Sequence, residues 1–109
     1  MSKDSWIGVD LDGTLAVYNG NQQYPEIGDP INVMVQRVWT WLSVGIDVRI
    51  FTARVSDPET AEVERERIDN WCMKVFNRKL PVTCCKDFKM DVLYDDRAIR
   101  VEKNTGLIK

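Results

Sequence analysis

The chain has 109 residues, 44% of them hydrophobic and 29% charged, with a formal net charge of −2 and no histidine. That size and balance describe one folded domain spanning residues 1–109 and exclude a disordered chain. With no basic excess, non-specific binding along a nucleic-acid backbone drops out. With no histidine, Ser-His-Asp and Cys-His nucleophiles and imidazole metal ligands drop out too.

Charges at Lys3, Asp4, Asp10 and Asp12 leave no room for an apolar leader. No stretch approaches the ~18 apolar residues of a membrane span. The expectation is a cytoplasmic protein. Cys72, Cys84 and Cys85 are odd in number and form no CxxC pair, so the expectation is reduced, buried thiols, not a disulfide framework or a zinc site.

Strand-like and helix-like segments alternate, which predicts an α/β fold on a mainly parallel sheet. Trp6 to Val9 is a short apolar run of the kind covered on both faces. Residues 13–28 carry turn chemistry, and Ala16–Tyr18 could pair with Gln22–Tyr24 around Asn19-Gly20 as a small hairpin. A helix is predicted next, with Asp29 as its cap and Pro30 at its first position. Ile31, Met34, Val35, Val38, Trp41 and Leu42 form its inward stripe, Trp39 stands off that stripe, and Gly45 ends the helix.

Val48 to Phe51 predicts a second strand ending at Thr52, followed by a loop over 53–56. Asp57-Pro58 repeats the cap-then-proline start of a second helix running to Phe76. Ile68, Trp71, Cys72 and Val75 face inward, while Glu59, Glu62, Glu64, Arg65, Glu66 and Arg67 form a solvated charge face. Leu80 to Cys84 predicts a third strand and Val92 to Tyr94 a fourth. Ala98 to Val101 is a candidate fifth, and Asn104-Thr105-Gly106 is a turn.

On this plan Asp10 and Asp12, Thr52, Lys86, and Asp95 and Asp96 all fall at or just beyond the carboxyl ends of four strands. Parallel sheets bind ligands at that edge. Two carboxylates about 4 Å apart cost roughly 4 kcal/mol at an effective dielectric near 20, so such a gathering calls for a cation. Oxygen donors alone suit a hard ion, Mg²⁺ first. A neutralised aspartate can attack a phosphoryl group, and a second carboxylic acid two residues on can protonate the leaving oxygen and then activate water. A hydroxyl and a lysine can hold the phosphoryl oxygens.

Asp10-Leu11-Asp12-Gly13-Thr14 resembles the DxDGT first motif of the haloacid dehalogenase superfamily of phosphohydrolases. Phe51-Thr52 looks like its second motif, Lys86 its third and Tyr94-Asp95-Asp96 its fourth, in the family's order over nearly the whole chain. With VRIFTAR and LYDDRA, the pattern is similar to small members common in bacteriophage and bacterial genomes. The resemblance implies a Rossmann-like three-layer sandwich with no cap domain and a short flap hairpin after the first strand. It implies Asp10 as nucleophile and Mg²⁺ ligand, and Asp12 as acid/base whose backbone carbonyl also meets the metal. Thr52 and Lys86 would hold the phosphoryl group, with Ala53 and Arg54 beside them in substrate contact. Asp95 would be a direct metal ligand, and Asp96 a second ligand or one acting through water.

Only eight residues separate Lys86 from Asp95, where larger members place a helix. Either the connection is a single turn, with Lys86 directly after the strand, or Lys89 is the motif lysine. Tyr18, Tyr24 and Arg54 are candidates for substrate contact, and Arg97 is a salt-bridge candidate beside the acidic pair. The function expected is Mg²⁺-dependent hydrolysis of a phosphomonoester through an aspartyl-phosphate, with an open site that could admit a nucleotide or a nucleic-acid end. The alternatives are a catalytically silent domain on the same scaffold and a phosphotransferase. A receiver domain uses the same residue types, but with its acidic pair after the first strand instead of the last.

Overall fold

The computed structural model describes residues 4–20 and 26–109. The elements in chain order are β1 (Trp6–Asp10), α1 (Asn32–Ser43), β2 (Asp47–Phe51), a 3-10 turn (Ala53–Val55), α2 (Ala61–Phe76), β3 (Val82–Thr83) and β4 (Met90–Tyr94). The four strands form one sheet in the order β3-β2-β1-β4, and every pairing is parallel. The expected α/β architecture on a parallel sheet is present.

Alternation along the strands sorts the two faces. Ile7 and Val9 pair in register with Val48 and Ile50, and these four share one buried cluster with residues of both helices. Met34, Val35 and Val38 come from α1, and Ile68, Trp71, Cys72 and Phe76 from α2. The two helices also meet edge to face through Trp39 and Phe76, with ring centroids 6.1 Å apart. The crossovers from β1 to β2 and from β2 to β3 step in one direction across the sheet. With the usual right-handed connection this puts both helices on one face, and both pack on the same cluster of strand residues. A helix on the other face would have to come from the β3–β4 connection. That connection is a single turn at Asp87–Met90, closed by Met90 N–H donating to the Asp87 carbonyl at 3.1 Å. The three-layer expectation is therefore corrected: the described helices form a single layer.

One tryptophan stands in for the missing layer. Trp6 is fully buried on the face away from the helices. Its ring lies over Gly8, where an added Cβ would come within 3.2 Å of Trp6 Cζ3 and 3.1 Å of Leu93 Cδ1. The Arg49 guanidinium stacks 4.7 Å above the ring and is paired with Asp47 at 2.9 Å. Trp6 Nε1 donates to Asp87 Oδ1 at 2.9 Å, which ties the short β3–β4 turn to the sheet and holds the Asp87 carboxyl below the usual carboxylate range.

Both helices start later than the cap-and-proline reading places them. Pro30 is spent in a bridge with Ala16, Val17 N–H donates to the Asp29 carbonyl, and Ile31 N–H donates to Leu15 at 2.8 Å. Extended pairing holds the chain out of helix until Asn32, and the N-cap position falls to Ile31, which has no side-chain cap, instead of Asp29. Asp57 instead accepts from Glu59 N–H at 3.0 Å in a turn, and α2 begins at Ala61. Ala16 bridges Pro30; the Gln22–Tyr24 limb of the expected hairpin, with the candidate Tyr24, lies outside the described residues. Residues 98–101 form no strand; Val101 makes only an isolated bridge to Ile108, and both are exposed. Of the three thiols, only Cys72 is buried; Cys84 is half-buried and Cys85 exposed. No helix of the described residues is long and apolar enough to cross a membrane.

Candidate functional site

The site is built where β1 stops. Beyond Asp10 the chain turns back on the Leu11 carbonyl, which accepts from Leu15 N–H at 3.0 Å and Ala16 N–H at 2.9 Å. Leu11 and Leu15 are fully buried and anchor this loop in the core, so the polar residues between them stay at the rim. Gly13 adopts φ +95°, a conformation side chains disfavour. A Cβ there would also sit 2.7–2.9 Å from the Asp96 carboxylate. Gly13 thus lets the loop turn and admits Asp96 to the site.

Asp10, Asp95 and Asp96 each offer a carboxylate oxygen within 4.8 Å of the others. β1 and β4 are neighbours in the sheet, so their ends place these three side by side. Burial, a hydrogen bond with Asp96 and the negative charges of Asp95, Asp96 and Asp12 push the Asp10 pKa up to about 7. The Asp96 carboxyl is held low, first by accepting from Asp10 and then by Thr14. Thr14 was not singled out in the sequence, although it closes the Asp-x-Asp-Gly-Thr run. Its hydroxyl lies 3.0 Å from Asp96 Oδ1 and 3.4 Å from Asp10 Oδ2, and it accepts from Asp96 N–H at 3.0 Å. It latches the β1 loop to the β4 end. Asp95 Oδ1 accepts from Arg97 N–H at 2.7 Å, so Arg97 contributes its backbone to the site and makes no ion pair within 4.0 Å among the described residues.

The three carboxylates fit a hard divalent ion. They are oxygen donors without nitrogen or sulfur, close enough to share one centre, and burial together with the neighbouring carboxylates raises Asp10, which a cation would offset. The Asp12 carboxylate is not in this group. It faces Arg54, whose Nε donates to Asp12 Oδ2 at 2.7 Å and whose Nη2 donates to Oδ1 at 2.9 Å. This fork-on-carboxylate geometry is the strongest form such a pair takes. Arg54 Nη1 reaches Glu64 Oε1 at 3.1 Å, and Arg67 Nη1 meets the same oxygen at 3.2 Å. Glu64 is therefore not part of a solvated face; its side chain is 14% exposed.

Thr52 is buried at the end of β2, and its hydroxyl accepts from Arg54 N–H at 3.1 Å, which starts the 3-10 turn containing Ala53 and Arg54. Lys86 and Lys89 are both exposed and make no ion pair within 4.0 Å among the described residues. Next to Arg54, a groove of about 410 Å³ is lined by Val17, Tyr18, Glu26, Ile27 and Asp29 among others. Gly28 holds its wall in place: a Cβ there would overlap the Val17 carbonyl, and the Gly28 carbonyl accepts from Trp71 Nε1 at 2.9 Å.

Fold and rim together define an α/β protein with a cluster of aspartates at the carboxyl edge of a parallel sheet. No protein-family model matches the chain, and no curated protein does. A solved structure described as a conserved protein coded by a locus from Bacteroides thetaiotaomicron is similar in fold. It is 22% identical, with a TM-score of 0.57 over 84% of this chain and 75% of that one.

Proposed function

We propose that the chain is a phosphomonoesterase of the haloacid dehalogenase type, acting with Mg²⁺ through a phosphorylated Asp10. The observation that carries this reading is the meeting of Asp10, Asp95 and Asp96 within 4.8 Å, at the rim where parallel sheets take ligands. Mg²⁺ would be held by these three, with the Asp12 carbonyl as a further donor, and would supply the positive charge that keeps Asp10 ionised beside an anionic substrate.

An Asp10 oxygen attacks phosphorus, the bond from phosphorus to the leaving oxygen breaks, and Asp12 gives that oxygen its proton. Water then attacks the same phosphorus, Asp12 takes a proton back, and phosphate departs with Asp10 restored. The Thr52 hydroxyl and the Arg54 guanidinium orient the phosphoryl oxygens, and Lys86, or Lys89 in its place, adds positive charge. The groove beside Arg54 suits a leaving group of some size, such as a nucleotide or a phosphorylated nucleic-acid end.

The Arg54–Asp12 pair favours a second reading, since both Asp12 oxygens are taken up by the guanidinium and the carboxylate stands outside the Asp10–Asp95–Asp96 group. On that reading the chain binds phosphorylated groups without turning them over, and a phosphotransferase would share the first step with another acceptor. Turnover of p-nitrophenyl phosphate separates them. The phosphatase reading expects release of p-nitrophenol with Mg²⁺, none with EDTA and none from Asp10→Asn. Equal rates in Asp10→Asn and wild type would overturn it.

A further inference from the structure

Arg54 is gripped at both edges. One edge of the guanidinium lies on Asp12 through Nε and Nη2, at 2.7 and 2.9 Å, while Nη1 meets Glu64 at 3.1 Å. The three side chains are only 14%, 20% and 14% exposed for Arg54, Asp12 and Glu64. Glu64 sits in the first turn of α2, ten residues along the chain, and Arg67 holds it from one helical turn further on at 3.2 and 3.3 Å. Its carboxylate is therefore held by Arg67 as well as by Arg54.

Two carboxylates on separate edges, with the Glu26 carbonyl 3.5 Å from Nη2, set what Arg54 can do. For the Asp12 carboxyl to face a leaving oxygen, the guanidinium that covers both its oxygens must let it go. An arginine with one carboxylate partner would be left without a carboxylate when released. With Glu64 still on Nη1, the guanidinium stays at the rim and offers its Nε and Nη2 hydrogens to incoming anionic oxygens.

We propose that Glu64 is a positioning residue: it anchors Arg54 so that the same guanidinium edge passes from Asp12 in the free protein to a phosphoryl group in the complex. The inference rests on the phosphatase reading for the identity of that anion. Its geometric half, the anchoring of Arg54 by Glu64, stands without it.

The test is a cycle of Glu64→Gln, Arg54→Ala and the double variant, with two readouts. In turnover of p-nitrophenyl phosphate with Mg²⁺, Glu64→Gln raises KM about tenfold and moves kcat less than about threefold, because binding suffers and the reacting groups remain. In the Arg54→Ala background the same substitution leaves KM unchanged. A KM effect that persists without Arg54 would show that Glu64 acts by another route and would overturn the proposal. The second readout is the Arg54 Nε–H resonance in the free protein, assigned by its loss in Arg54→Ala. It is resolved and slow to exchange with solvent in wild type and exchanges faster in Glu64→Gln. An unchanged exchange rate would overturn the anchoring. If the wild-type protein turns over no phosphomonoester, the phosphatase reading has failed, and the resonance still decides whether Glu64 holds Arg54.

Discussion

Replacing Asp10 by asparagine in metal-free protein removes one of three crowded carboxylates and keeps the size and hydrogen-bonding shape of the side chain. In the folded protein burial and the neighbouring carboxylates push Asp10 from its ordinary 3.8 up to about 7. A shift of that size bounds the effect at roughly 4 kcal/mol, and solvent reaching the rim screens it to about 1–2 kcal/mol. The sign follows from proton binding. Between about pH 4 and 7 the folded state holds a proton on Asp10 that the unfolded state has released. The stability this group contributes is therefore complete below the unfolded value and is lost as pH rises through about 7. Asparagine has no such loss. In urea titrations with EDTA, Asp10→Asn is expected to equal wild type near pH 4 and to exceed it by about 1–2 kcal/mol at pH 8. That gain is worth about 4–8 °C in Tm per kcal/mol for a chain of this size. Millimolar Mg²⁺ narrows the gap by stabilising wild type. A variant no more stable than wild type at pH 8 would refute the claim that the aspartates repel one another in the folded protein.

Gly13→Ala is expected to lose about 1–3 kcal/mol in urea unfolding, because alanine is strained at φ +95° and its Cβ would press on the Asp96 carboxylate. A neutral effect would mean the loop is free to relax. Trp6→Ala is expected to cost at least about 3 kcal/mol, since it strips the cover from one face of the sheet; a loss under about 1 kcal/mol would contradict that role. Burial pushes the Cys72 thiol up to about 12. A thiol reagent at pH 8 should therefore modify exposed Cys85 first and reach Cys72 only on unfolding. Equal rates at the two would contradict the burial of Cys72.

The elements on the helix-covered face were legible because their apolar spacing is local. Met34, Val35 and Val38 or Ile68, Trp71 and Cys72 announce a buried helix face wherever the chain goes next. The gathering of Asp10, Asp95 and Asp96 was legible for a different reason: parallel strands all end at one rim, so residues far apart in sequence can be placed together without knowing any side-chain position. What escaped depended on partners supplied from a distance. Asp29-Pro30 has the chemistry of a helix start, but Ala16 and Val17 pair with it first. Ala98 to Val101 has strand-like residues but joins no strand of the sheet; Val101 bridges Ile108 instead. The second face looked as though it should carry a helix, and the shortness of the β3–β4 turn left Trp6 to cover it. Glu64 stands among charged neighbours of one helix, and only the turn over Ala53–Val55 brings Arg54 back to meet it.

The most direct test of a phosphorylated Asp10 is to catch it. Wild-type protein turning over p-nitrophenyl phosphate with Mg²⁺ is quenched in acid, digested and analysed by mass spectrometry. The account expects a phosphoryl adduct on the peptide carrying Asp10, absent with EDTA and absent in Asp10→Asn. Steady release of p-nitrophenol with the adduct on another residue, or with none at any quench time, would contradict it.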